Sequence, residues 1–187
     1  MPIMAEGKIL VISGTNRPQS HALRIARIVE AEYAAIGAAA EVFSLMELPR
    51  EIFDPSAYAV KPPAMLVIQQ RVLDAGGLHV ITPEYNGSFP GVLKYFIDML
   101  KFPESFVRKP VAFVGEAQGM WGGLRSVEQL TQIFGYRNAH IFPDRIFIPA
   151  VDAKFNGGEK LLDDAISQRL KAQAAGFRQF VSHVSRF

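Results

Sequence analysis

Three short stretches hold most of the side chains suited to ligand chemistry. The first, Ser13-Gly14-Thr15-Asn16-Arg17-Pro18-Gln19-Ser20-His21, joins an apolar strand-like run to an amphipathic helical pattern. A helix N-terminus presents unpaired N–H groups and partial positive charge, which suits a phosphate. Thr15 and Ser20 add hydroxyl donors and Arg17 a charge-assisted one. The stretch lacks both the Gly-Lys-Ser/Thr ending of a triphosphate loop and the Gly-x-Gly-x-x-Gly dinucleotide turn, and so favours a monophosphate. It also reads as an ordinary loop with Ser20 as the helix cap. The other two stretches are Thr82 to Gly91, which holds Pro83, Glu84, Tyr85 and Asn86, and Glu116 to Gly123, which holds Gly119.

All three stretches follow apolar runs of strand length. The first strand is expected over Lys8 to Ser13, apolar throughout as in a strand buried on both faces. The first helix carries Ala22, Ala26, Val29, Tyr33 and Ile36 and closes at Gly37. A second strand over Ala40 to Leu45 and an irregular proline-rich connection from Pro49 to Pro63 lead to a helix over Ala64 to Asp74. Leu78 to Thr82 and Val111 to Gly115 read as strands three and four. Helix three carries Phe89, Val92, Leu93, Phe96, Ile97 and Leu100, and helix four Leu124, Val127, Leu130 and Phe134. A fifth strand lies within Ala139 to Ile148, interrupted at Pro143, and a fifth helix is expected from about Glu159. Strands alternating with helices predict one α/β domain over residues 1–187 with a parallel sheet. Ligands of such sheets sit beyond the carboxyl ends of the strands, where all three stretches fall.

The 187 residues are 49% apolar and 20% charged, with a net charge of +2 and no cysteine. A large core can form, while disulfides, thiolate metal sites and thiol redox chemistry are excluded. The charge makes no case for nucleic acid. No apolar run approaches the ~20 residues of a membrane span. Met1 to Gly7 lacks the basic and apolar regions of a signal peptide, so a cytoplasmic location is expected. His21, His79, His140 and His183 show no metal-ligand spacing and are read as non-ligands. A Gly-x-Ser-x-Gly hydrolase elbow is missing.

The stretch TPEYNGSFPGVLKYFID, Thr82 to Asp98, resembles the signature of the NADPH-dependent FMN reductase family, which includes quinone, chromate and azo-dye reductases. GTNRPQSHAL resembles that family's phosphate loop, with Thr15 in the usual serine place. Lys109-Pro110-Val111 leading to Gly119, Gly122, Gly123 and Arg125, and then Asp152-Ala153-Lys154-Phe155, resemble its later segments, so the likeness runs nearly the whole chain in order. The resemblance implies a flavodoxin-like three-layer sandwich with a five-stranded parallel sheet of order 2-1-3-4-5. It implies bound FMN, with NADPH or NADH as reductant. Thr15, Arg17, Ser20 and the backbone at His21 and Ala22 would then hold the phosphate, and Pro83, Glu84, Tyr85 and Asn86 would line the isoalloxazine. A flavin needs in-plane donors and a flat or apolar wall, which Asn86, backbone N–H groups and Tyr85 can supply. Tyr85 and Glu84 also read as a surface aromatic and a solvated charge.

One departure stands out. Where the family often has serine, this chain has Glu116 and Ala117. A carboxylate near a reduced flavin is repulsive unless it points away or is hydrogen-bonded. Gly119, Gly122 and Gly123 either let backbone approach the ring or serve a tight turn, and Trp121 either covers the flavin, covers a dimer seam or packs in the core. The activity implied is ping-pong NAD(P)H-dependent reduction of a small acceptor: a quinone, an azo compound, a metal oxyanion or free flavin. Hydride chemistry belongs to the flavin, so no catalytic side chain is nominated. The alternatives are a non-catalytic electron carrier, against which the +2 charge argues, and a flavin-binding regulatory protein. The apolar stripe of helix three, widened by Tyr95, predicts a homodimer or homotetramer with helices three and four at the seam.

Overall fold

The computed structural model describes residues 7–155 and 157–184. The reading of Met1 to Glu6 lies outside them. Strands β1 (Ile9–Ser13), β2 (Ala40–Ser44), β3 (Gly77–Pro83), β4 (Pro110–Glu116), β5 (His140–Ile141) and β6 (Ile146–Ile148) alternate with helices α1 (His21–Ala35), α2 (Pro63–Asp74), α3 (Gly91–Met99), α4 (Leu124–Tyr136), α5 (Val151–Phe155) and α6 (Asp164–Val184). Every pairing is parallel, in the order β2-β1-β3-β4, with β5 and β6 sharing the place beyond β4. This is the expected 2-1-3-4-5 sheet with its last strand broken. No helix among the described residues is long and apolar enough to cross a membrane.

Side-chain alternation along the strands explains the three layers. Leu10 and Ile12 of β1, with Leu78, Val80, Val111 and Phe113, face one core completed by α2, α3 and α4. Ile9 and Val11, with Ile81, Ala112 and Val114, face the other, completed by α1 and α6. The continuous apolar runs reflect this two-sided burial.

Two elements differ from expectation. The last helix starts at Asp164, not near Glu159, and Leu162 stands exposed before it. Asp163 is the reason: its carboxylate accepts from the Ile166 N–H at 3.0 Å, the hydrogen bond of an N-terminal cap. The apolar surplus of helix three is also covered within the chain. Leu93, Phe96 and Ile97 are buried. Tyr95 donates to the Ile52 carbonyl and packs its ring, tilted, against Phe53 with centroids 4.8 Å apart, both from the 3-10 turns of the proline-rich connection.

The break in the fifth strand is repaired by a side chain. β5 pairs with Pro110 and Val111, and β6 resumes opposite Val114, so the Phe113 carbonyl falls in the gap. Gln173 of α6 donates to it at 3.1 Å and to the Asp144 carbonyl at 2.9 Å. With its N–H₂ spent, Gln173 can offer only its oxygen to His79 Nε2, 3.0 Å away. His79 therefore carries its proton on Nε2, and Nδ1 accepts from the Tyr33 hydroxyl at 2.8 Å. Tyr33, His79 and Gln173 join α1, β3 and α6 through a fully buried, fully paired polar path.

Burial holds the His79 imidazole neutral, its pKa pushed down to about 4. A histidine depressed in the fold stabilises it fully above the unfolded value of about 6.5, and that stability is lost as pH falls towards 4. The expected loss is roughly 3 kcal/mol at most. Urea unfolding of the wild type and of His79→Asn between pH 4 and 7.5 checks this. The variant, less stable at neutral pH, should show the flatter profile; equal slopes would exclude His79 as the source.

Candidate functional site

A cleft of about 440 Å³ opens at the carboxyl edge of the sheet, within the range of roughly 300–1,000 Å³ usual for small-molecule sites. Its walls come from the ends of four strands: Arg17 to His21 after β1, Pro83 to Tyr85 after β3, Glu116 to Gln118 after β4, and Val151 with Asp152 after β6. The three expected stretches therefore meet, and α5 adds a fourth.

In the first stretch Ser20 is the N-cap of α1, its hydroxyl accepting from the Leu23 N–H at 3.2 Å. Thr15 is buried and shapes the loop. Its Oγ1 accepts from the Arg17 N–H at 3.2 Å and lies 3.3 Å from the Tyr85 hydroxyl, tying the first stretch to the second. Arg17 is exposed on the cleft wall, and Ala22 is buried behind it.

In the second stretch Tyr85 and Ser88 exchange backbone hydrogen bonds of 2.8 and 3.1 Å across Asn86-Gly87, whose φ values are +54° and +76°. Asn-Gly at two left-handed positions is the favoured two-residue hairpin turn. Asn86 is thus the exposed corner of a turn and lies outside the cleft lining. Glu84 is not a solvated charge. Its side chain is largely buried and accepts from the Arg125 backbone N–H at 3.2 Å and from the Arg125 guanidinium at 2.9 Å. The N-cap residue of α4 is Gly123, which has no side chain to offer, and Glu84 supplies the missing carboxylate.

In the third stretch the glycines serve the turn. Gly122 and Gly123 have φ of +57° and +87°, and a Cβ on them would sit 2.7 Å from the Ile148 nitrogen and 2.5 Å from that of Glu116. Gly119 is exposed beyond the lining. Trp121 is half exposed rather than core-packed. Glu116 faces the cleft with only 5% of its surface exposed. Its carboxylate lies beside the Ala22 N–H in the first turn of α1. Burial first, then the Asp152 carboxylate, raises its pKa to about 7, against the smaller opposing effects of that N–H and of Arg17.

Sequence reasoning missed Asp152 and Gln118 as site residues and took His21 for its backbone alone. His21 Nε2 lies 2.7 Å from the Asp152 carboxylate, and its ring stacks on Phe155 at 5.2 Å. Gln118 accepts from the Asp152 N–H at 3.2 Å. His21 and Asp152 are 131 residues apart, a separation no local motif bridges. The available signal was the position of Asp152 just after a strand end.

Of the three cleft carboxylates, Glu84 has the most direct structural consequence. Glu84→Ala removes the cap of α4 and its ion pair, and should cost about 1 kcal/mol, up to 2. Thermal melts should show the loss in Glu84→Ala and partial recovery in Glu84→Gln, which keeps an acceptor for the Arg125 N–H. An unchanged melting temperature in both would remove Glu84 from this role.

The donors at the start of α1, with Ser20 and Arg17 beside them, fit a phosphate monoester, and the Tyr85 wall fits a planar ring. Known proteins agree. Residues 7–152 match the family described as NADPH-dependent FMN reductase. A curated relative, the NAD(P)H-dependent FMN reductase of Pseudomonas aeruginosa, is 29% identical over 179 residues, 93% of this chain and 95% of its own length. An FMN-dependent NADPH-azoreductase of Staphylococcus aureus is 31% identical over 131 residues, 67% of this chain and 66% of the relative. Among solved structures, a flavoenzyme NAD(P)H:(acceptor) oxidoreductase from Paracoccus denitrificans superposes with a TM-score of 0.77 at 20% identity, covering 94% of this chain and 97% of its own. A flavodoxin from the domain Archaea does so with 0.63 at 13%, covering 93% and 97%. The sheet order, the convergent loops and a family match across most of its length place this chain in the NADPH-dependent FMN reductase family.

Proposed function

We propose that the cleft seats FMN, with its phosphate at the N-terminus of α1 and its ring against Tyr85, in an NAD(P)H-dependent oxidoreductase that reduces a small acceptor. The convergence of Arg17, Ser20 and the start of α1 on a cleft that Tyr85 also lines carries this reading. FMN, when bound, supplies the hydride chemistry. The chain supplies position and field. Arg17 and Ser20 hold the phosphate with the first-turn N–H groups of α1. Pro83 ends β3 in register with Glu116 of β4. Glu84, locked to α4, keeps the second stretch rigid, and the Thr15–Tyr85 contact holds the ring wall to the phosphate loop.

The acceptor class is a quinone, an azo compound, a metal oxyanion or free flavin, and either NADPH or NADH can serve as reductant. The Staphylococcus aureus relative supports the azo assignment by its name. Flavin released from denatured protein should be FMN, not FAD, since the first stretch offers one phosphate cradle. Arg17→Ala removes a charge-assisted hydrogen bond worth about 1.5–3 kcal/mol. FMN affinity, followed by flavin fluorescence, should weaken roughly ten- to a hundredfold with the fold intact. Unchanged affinity would take Arg17 out of the site.

We further assign a homodimer at least. The helix-three stripe is covered within the chain, so the third stretch carries the argument instead. Met120 and Trp121 there are 78% and 51% exposed, and Tyr85 on the cleft wall is 36% exposed. Apolar side chains clustered on loops bordering a site suit cover by a second copy. Light scattering at low micromolar concentration should give at least twice the 20.7 kDa chain mass. Trp121→Ser should shift it towards the monomer. A wild-type monomer would exclude the assembly.

A further inference from the structure

At the carboxyl edge of the sheet, two helix starts each receive a carboxylate from a neighbouring strand end. Glu84 takes the Arg125 N–H of α4 at 3.2 Å, and Glu116, only 5% exposed, lines the cleft beside the start of α1 and its Ala22 N–H. Their surroundings differ. Glu84 is neutralised by the Arg125 guanidinium at 2.9 Å. No ion pair within 4 Å neutralises Glu116 among the described residues, although Arg17 on the wall above attenuates its charge. The charged groups around it are Arg17 from the first stretch, His21 at the start of α1, Glu84 beyond β3 and Asp152 on α5. Glu84 and His21 are already engaged with Arg125 and Asp152. Asp152 repels the Glu116 carboxylate.

The same Ala22 N–H belongs to the anion-binding start of α1. A phosphate entering there meets a buried carboxylate beside one of its donors. Two anions at one helix terminus repel, and burial leaves little water to screen them. A neutral carboxyl reverses the sign, because its O–H donates to a phosphate oxygen in a charge-assisted bond.

Resting on the FMN reading above, we propose that Glu116 recognises the flavin phosphate in its neutral acid form. It leaves the Ala22 N–H to the phosphate and donates its own O–H, so that FMN binds with uptake of one proton. The proton comes from solvent and stays on the Glu116 carboxyl. No bond of the flavin changes. The burial and the Asp152 charge that bring this carboxyl's titration close to neutrality make the uptake accessible at ordinary pH.

Linkage sets the consequence. The phosphate of FMN loses its second proton near pH 6, so above pH 7 the ligand has little left to titrate. Above the Glu116 titration each pH unit should then weaken FMN binding by up to about tenfold. Riboflavin, which lacks the phosphate, should show no such slope. The test is calorimetric titration of the full chain, freed of flavin, with FMN and with riboflavin from pH 6.5 to 9. At pH 8 the measurement is repeated in buffers of different ionisation enthalpy. Expected are proton uptake approaching one per FMN and the FMN-specific slope. Glu116→Gln, which keeps shape and hydrogen bonding, should abolish both and bind FMN at least about tenfold more tightly than wild type at pH 8.5. Asp152→Asn should move the onset of the slope to lower pH without removing it. A pH-independent FMN affinity, binding without proton uptake as expected if Glu116 merely swings aside, or an unchanged slope in Glu116→Gln each overturns the proposal while leaving the FMN site standing. Failure of both flavins to bind at any pH overturns the FMN reading and this inference with it.

Discussion

A parallel sheet cannot avoid concentrating unpaired backbone donors along one edge. Each crossover helix begins where a strand ends, and the first-turn N–H groups of a helix have no partner within it. Here α1 and α4 both start beside the ends of β3 and β4. Their donors must be met by side chains or by a ligand, and the chain uses three solutions. Ser20 caps α1 from within its own loop. Glu84 caps α4 from across the sheet edge and is held there by Arg125. Glu116 lies beside the first turn of α1 with no ion-pair partner among the described residues. The first two are ordinary structural closures. The third leaves a buried carboxylate on the wall of the cleft, and the electrostatics of the cleft turn on it.

The rigidity that holds this edge in place originates on the face of the sheet covered by α1 and α6. Tyr33, His79 and Gln173 form a buried path in which every polar atom has a partner, and Gln173 satisfies the carbonyl exposed by the broken fifth strand. A fully paired buried network specifies one arrangement strongly, because any displacement leaves a polar group desolvated and alone. The path holds α1 and α6 to the sheet, and the start of α1 lines the cleft. Where β6 resumes after the break, it sets α5 and Asp152 on the cleft wall. The irregular strand therefore adds a wall to the site that an uninterrupted one would have spent on pairing.

The alternation of apolar runs and helical periodicity in the sequence determined a single α/β sheet with helices on both faces, because burial on two sides leaves a mark at every strand position. Loop composition pointed to the three strand ends that meet at the cleft, since hydroxyls, glycines and an arginine beyond buried strands have little other reason to cluster. The roles of Thr15, Glu84 and Asn86 were not legible. Each is set by a partner far away in the chain or by a backbone angle: Tyr85 for Thr15, Arg125 for Glu84, and a left-handed φ for Asn86. The local cover of the helix-three stripe was not legible either, because the sequence does not show that Phe53 and Ile52 fold back over Tyr95. His21 and Asp152, 131 residues apart, meet only once β6 is in place. Local spacing decides secondary structure because its forces act within a turn or a strand. Ionisation, pairing and the direction a carboxylate faces depend on the charges and solvent around it, and the folded chain assembles those from every element at once.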